Sequence, residues 1–178
     1  MMKYIFSLIG LIFLSYCADA QTLPKDSLTG KFVYTAVISV DDVNQDELLD
    51  RATKWVEWKY DIDSSGLKNE TGGRISYNGN FATNFSANGY THEMYVLYTV
   101  SINVEDGKYV YEITDLSFKP DLQLSWSTTF ESYDSNPTTA DGVNKNVKSE
   151  LFRKTDGEVK KMIGEIKSAM SGSIPTKY

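Results

Sequence analysis

The chain has 178 residues, with 18 Lys and Arg against 24 Asp and Glu, one His and one Cys. The length suits one domain, and an apolar fraction of 41% with 13% aromatic is too rich for a disordered chain. A net charge of −6 argues against a nucleic-acid binder, one Cys excludes an internal disulfide, and one His excludes a multi-histidine metal site.

The first twenty residues carry the three regions of a secretory signal. Lys3 is the positive start, Ile5 to Leu14 is the apolar run, and Ala18-Asp19-Ala20 is a small-residue cleavage site ahead of Gln21. The run is shorter than the ~20 apolar residues of a spanning helix. Residues 1–20 are therefore expected to be a signal peptide, and 178 less 20 leaves a mature chain of 158 residues. Lys3 and Asp19 leave together, so the charge stays at −6, and the only cysteine leaves too. The rival is a lipoprotein cut before Cys17 and acylated there, although Tyr16 stands where such a signal wants a small residue. The protein is expected to be exported to the periplasm or beyond, less readily held at the membrane through Cys17. Residues 21–30, QTLPKDSLTG, read as a linker before one α+β domain over 31–178.

Lys31 to Val40 alternates Phe32, Tyr34, Ala36, Ile38 and Val40 on one face and predicts a strand. Asn44-Gln45-Asp46-Glu47 is a capping box, followed by a stripe of Leu48, Leu49, Ala52, Trp55 and Val56, which predicts a helix over 45–59. Asp61 to Gly73 is turn-rich, Arg74 to Phe81 predicts a short strand, and Asn80 to Thr91 reads as loop. Glu93–Val104 and Lys108–Phe118 alternate around Asp106-Gly107, which favours a type I′ hairpin turn. The turn sets Val104 opposite Tyr109, Ile102 opposite Tyr111 and Val100 opposite Ile113 on the buried face. Carried outward, the same register puts Leu97 with Leu116 and Tyr95 with Phe118 on the other face. Leu122 to Phe130 alternates and predicts a further strand, residues 131–146 read as loop, and Thr155-Asp156-Gly157-Glu158 reads as a second capping box opening a helix over 156–170. The order β-α-β(4)-α predicts an antiparallel sheet with two helices on one face.

Three segments carry a resemblance to a known family. They are Asp46 to Ala52 with Trp55, Gly73-Arg74-Ile75 with Gly79, and Thr99 to Tyr111 with its Asp106-Gly107-Lys108-Tyr109. Over residues 31–118 the chain resembles the secreted bacterial domain of unknown function numbered 4468, whose fold is like that of the TATA-binding protein. Leu49 stands where the family pattern has Tyr, and Val110 where it has Arg. The resemblance implies the β-α-β(4)-α order and brings no activity and no catalytic residues. A TBP-like fold does not imply DNA binding, and an acidic chain is a poor fit to phosphate-dominated affinity.

Chemistry-bearing residues are sparse. Asp61, Asp63, Ser65 and Gly66 open like an EF-hand loop, but Gly72 holds the place of the bidentate Glu. His92 would have to serve any Ser-His-Asp triad, with Asp115 or Glu93 orienting it, and no nucleophile elbow is present. Asp61, Asp63, Glu131 and Asp134 are candidates for a carboxylate-dependent hydrolase, which needs two of them converging in one cleft. Asp41-Asp42 is a further acidic pair at a strand end. Tyr95, Phe118 and Trp126 are the candidate aromatic surface for a sugar or peptide. No cofactor or metal is expected. The favoured reading is a non-catalytic envelope module that binds a protein, peptide or glycan, and an edge strand leaves homodimerisation open.

Overall fold

The computed structural model describes residues 23–63, 68–70, 72–87, 89–135 and 145–173. The segment expected to be a signal peptide, with Cys17, and Ser65, Gly66 and most of the 131–146 stretch lie outside them. The elements are β1 (Tyr34–Ser39), α1 (Gln45–Tyr60), β2 (Lys68–Glu70), β3 (Arg74–Ala87), β4 (Tyr90–Glu105), β5 (Lys108–Lys119), β6 (Thr128–Thr129), α2 (Phe130–Ser135) and α3 (Lys145–Met170). One antiparallel sheet has the order β1-β5-β4-β3-β2, with β6 pairing the end of β5 that β1 leaves free. This is the α+β architecture the sequence predicts.

Period-two alternation decides which face is covered. Ile38 and Ala36 on β1, Tyr109, Tyr111 and Ile113 on β5, Val96 to Val104 at even positions on β4, and Ile75 and Tyr77 on β3 share one side. On that side α1 packs against β3 and β4, and α3 packs against α1 and β3. Leu48, Ala52, Trp55 and Val56 of α1 are buried there, as are Leu151, Phe152, Val159, Met162 and Ile166 of α3. The start of α1 is as expected: the Asn44 side-chain oxygen Oδ1 accepts from the Glu47 N–H at 2.9 Å. Its end differs by one residue, because Asp61 takes a left-handed conformation and its N–H closes on Glu57 O.

Five expectations are corrected. First, α3 is one helix from 145 to 170, with Thr155 and Asp156 buried inside it rather than capping a shorter helix. Val147, Leu151, Thr155 and Val159 step by four along one face, so burial of that face overrides the cap signal. Asp156 is held there by the Tyr34 hydroxyl at 3.0 Å and by Lys160 at 2.8 Å.

Second, β3 and β4 run on through the Asn-rich stretch read as loop, to a hairpin tip at Ala87–Tyr90. Phe81 and Phe85 alternate with Asn and Ser, and Phe85 is buried while Glu150 and Lys154 of α3 bind the ribbon at Ser86 and Asn84. Third, the Asp106-Gly107 turn holds the expected register, but only Gly107 has positive φ, at 72°. The Asp106 carboxylate instead accepts from the Gln45 N–H at 2.8 Å, and Gly107 bonds Val40 and Val43, so the turn is shaped by docking onto the entry to α1.

Fourth, residues 120–127 are turns, not strand. Gln123 N–H folds back on the Asp121 carboxylate at 2.9 Å, and Phe130 opens α2. Fifth, the stretch read as a linker is partly built in: Leu23 is buried, and Pro24 to Asp26 pair with Lys31 to Val33.

Candidate functional site

The pairing of β4 with β5 slips by one residue between Leu97 and Thr99. Thr99 faces Thr114, but Leu97 faces Ser117, and Asp115 is the extra residue, at φ 54°. A left-handed non-glycine residue costs about 1–2 kcal/mol, and Asp is among the types that tolerate it. The bulge turns Leu116 and Phe118 onto the covered face, where both are buried. Full burial of two such side chains stabilises by roughly 3–6 kcal/mol, so the bulge wins.

This rearrangement separates the candidate aromatic residues. Phe118 packs edge-on against Phe130 and Tyr133, both at 5.2 Å between ring centroids, and is core. Tyr95 stays on the open face, half-buried, opposite Lys119. Trp126 is 53% exposed in the 120–127 segment. The Lys119 ammonium donates to the Leu122 and Leu124 carbonyls, both at 2.9 Å, which ties that segment to the Tyr95 end of the sheet. Tyr95, Leu97 and Lys119 therefore share one end of the open face, Phe118 does not, and the segment that carries exposed Leu122 and Trp126 is anchored there by Lys119. The hairpin register carried straight through Asp115 puts Leu116 and Phe118 on the open face, and the bulge is why they are not there.

The open face itself is a hydrogen-bonding plane. Ser76 and Ser101 bond at 3.0 Å, Arg74 donates to Ser101 at 3.1 Å, and the Thr99 hydroxyl donates to Asn78 at 3.1 Å. Asn80, Asn84 and Thr114 continue it, with Leu97 and Val110 half-buried among them. Acidic Glu93, Glu105 and Glu112 alternate with Arg74, Lys108 and Lys119, so no single sign of charge dominates.

The candidate catalytic groups do not converge. Glu131 accepts from the Phe32 N–H at 2.7 Å and anchors the entry to β1. Asp134 lies at 2.8 Å from Lys148 and 3.5 Å from Lys25, and the Lys148 hydrogen bond holds its carboxyl below the usual range. Asp61 terminates α1, away from α2, and Asp63 is exposed just beyond it. Asp41 and Asp42 form the exposed turn between β1 and α1. His92 is exposed and stacks on Phe85 at 5.3 Å. Asp115 sits about six residues further along the ribbon, or roughly 20 Å, and pairs with Lys31 at 3.4 Å. Among the described residues no group of three His, Cys, Asp or Glu could hold a metal ion, and no helix is long and apolar enough to cross a membrane.

The covered side holds a tyrosine cluster. The Tyr60 and Tyr98 hydroxyls bond at 2.9 Å, Tyr60 stacks on Tyr77 at 4.1 Å, and Lys59 pairs with Glu165 at 2.6 Å nearby. Burial pushes the Tyr98 phenol up to about 12, against the opposing effect of its Tyr60 hydrogen bond, and drives Tyr60 higher still. These neutral phenols are packing elements, not acids working near neutral pH.

A model described as a domain of unknown function (DUF4468) with TBP-like fold matches residues 34–119, the span from β1 through β5. The match covers 86 of the 178 residues, so the chain is similar to this family over that span. A TBP-like protein from Parabacteroides distasonis ATCC 8503 superposes with a TM-score of 0.64 at 17% identity, covering 85% of this chain and 98% of that one. A DUF4468 family protein from Bacteroides ovatus ATCC 8483 also gives 0.64, at 16% identity, covering 90% and 95%. No curated protein matches the chain. At such identities the likeness carries the TBP-like fold alone, and a fold of this kind assigns no activity to the chain.

Proposed function

We propose that this protein is an exported, non-catalytic module of the cell envelope or periplasm that binds a protein, peptide or glycan through the open face of its sheet. The observation that carries the reading is that face. Its centre offers exposed or half-buried Asn, Ser and Thr side chains, and one end offers Tyr95, Leu97 and the Lys119-anchored segment with Trp126. Polar groups that fix orientation beside aromatic and apolar area are the usual ingredients of a recognition surface. The mixed charge offers no basic stripe, so nucleic acid is not the proposed ligand.

Export rests on the Lys3, Ile5–Leu14 and Ala18-Asp19-Ala20 pattern. Mass spectrometry of the native N-terminus tests it: a start at Gln21 supports the reading, an acylated Cys17 replaces it with a lipid-anchored protein, and an intact Met1 overturns it. The non-catalytic part is tested by assaying purified protein on a panel of envelope substrates. Turnover abolished by His92→Ala, Glu131→Gln or Asp134→Asn would refute it.

A further inference from the structure

We propose that the free edge of β1 pairs antiparallel with the same edge of a second copy of this chain. Val40 N–H donates to Gly107 O at 2.8 Å, so β1 bonds β5 through its even-numbered residues, and the main-chain groups of Thr35, Val37 and Ser39 point away from the sheet. Towards the N-terminus this edge is already closed by the chain itself, because Val33 N–H donates to Pro24 O at 3.0 Å and Asp26 N–H to Lys31 O at 2.9 Å. Towards the C-terminus Asp42, at φ 61°, turns the chain off into α1. Among the described residues the unpaired edge is therefore Thr35–Ser39, and its midpoint is Val37, whose side chain is 64% exposed.

Nothing guards it. The edge has no charge, no proline and no bulge, which are the usual devices against pairing. The opposite edge of the sheet, β2, is three residues long and carries Lys68 and Glu70. Joining β1 to β2 of a further copy would propagate without closing, and the short charged β2 opposes it. Joining β1 to β1 closes on a two-fold axis.

With that axis at Val37, Val37 faces Val37 of the partner subunit and Thr35 faces Ser39 of the partner subunit, giving about six main-chain hydrogen bonds. The ends select the same direction. Lys25 and Lys31 lie at one end of the edge, and exposed Asp41 and Asp42 at the other. Antiparallel pairing brings unlike ends together, and parallel pairing would bring like to like. The two sheets become continuous, and their open faces join into one surface.

The pairing buries little apolar area, so a dissociation constant in the micromolar range is expected. Sedimentation velocity of the purified protein from about 1 to 200 µM is expected to show a monomer–dimer equilibrium. Val37→Lys should abolish the dimer and leave the melting curve unchanged, since the side chain is exposed. The positional test is disulfide formation in a Cys17→Ser background. Hydrogen-bonded partners lie about 5.5 Å apart between Cα atoms, within disulfide reach, so Val37→Cys should cross-link under mild oxidation. Val110→Cys, one strand in on the same face, would be about 14 Å from its mate and should not. A monomer throughout that range, a dimer that survives Val37→Lys, or equal cross-linking at 37 and 110 would overturn the proposal.

Discussion

Gly79→Ala tests how the covered face is built. Gly79 sits in β3 opposite Tyr98, and a Cβ there would stand 2.6 Å from the Tyr98 hydroxyl and 2.7 Å and 2.8 Å from its ring carbons. Tyr98 is buried, rests on Phe81 at 5.8 Å, and its hydroxyl is fixed by Tyr60, which is itself stacked on Tyr77. The ring cannot swing aside without breaking the hydroxyl pair. Overpacking costs about 1–3 kcal/mol and loss of the pair about 1 kcal/mol more. Against this, Ala in a strand interior gains about 0.5–1 kcal/mol over Gly. The net expectation is a loss of about 1–3.5 kcal/mol, or a melting temperature lower by roughly 2–14 °C for a domain of this size. Urea denaturation of the wild type, Gly79→Ala, Tyr98→Leu and the double variant measures it. The Gly79→Ala penalty should fall below about 0.5 kcal/mol once Tyr98 is gone. A single variant as stable as wild type, or a penalty that persists in the Tyr98→Leu background, would refute the packing account.

Other consequences follow from single contacts. Asp115→Val, which puts a β-branched residue at φ 54°, should cost about 1–2 kcal/mol, while Asp115→Gly should be close to neutral; equal effects in a chemical melt would contradict the bulge. Glu131→Ala should cost about 1–3 kcal/mol by stranding the Phe32 N–H, and Glu131→Gln should recover most of it, as thermal denaturation would show. Tyr98 has a folded pKa raised by burial from 10.0 to about 12, so its contribution to stability is full below pH 10 and is lost as pH rises towards 12. An ultraviolet titration should therefore show the buried Tyr60 and Tyr98 phenols ionising well above pH 10, together with loss of structure. Ionisation of all tyrosines near pH 10 with the fold intact would be inconsistent with that burial.

Much of the fold was legible where one signal acted alone. The Asn44 cap with its 3.6-residue stripe placed α1, and the Asp106-Gly107 hairpin placed the inner half of β4 and β5. The failures are places where two signals compete and burial decides. Thr155-Asp156-Gly157-Glu158 is a genuine capping pattern, but Val147 and Leu151 extend the apolar stripe behind it, and α3 runs straight through. The bulge left a trace as well: Tyr109, Tyr111 and Ile113 are spaced by two, and the next buried residue, Leu116, comes after three. That one-residue break at Asp115 is what removed Phe118 from the open face. Of the three aromatic candidates, Tyr95 lies on the open face as its alternation in β4 predicts. Lys119 was missed because its role depends on two carbonyls of a turn that had been read as strand.

The central claim is that this protein works by binding through the open face of its sheet. The direct measurement is capture from a native envelope fraction, using as bait the wild type, an Asn78→Arg/Val110→Arg variant of the open face, and a Lys161→Glu variant of the exposed side of α3. The account predicts that one molecular species is retained by wild type and by Lys161→Glu and lost with the open-face pair. Retention that survives the open-face substitutions, or is lost with Lys161→Glu, would contradict it.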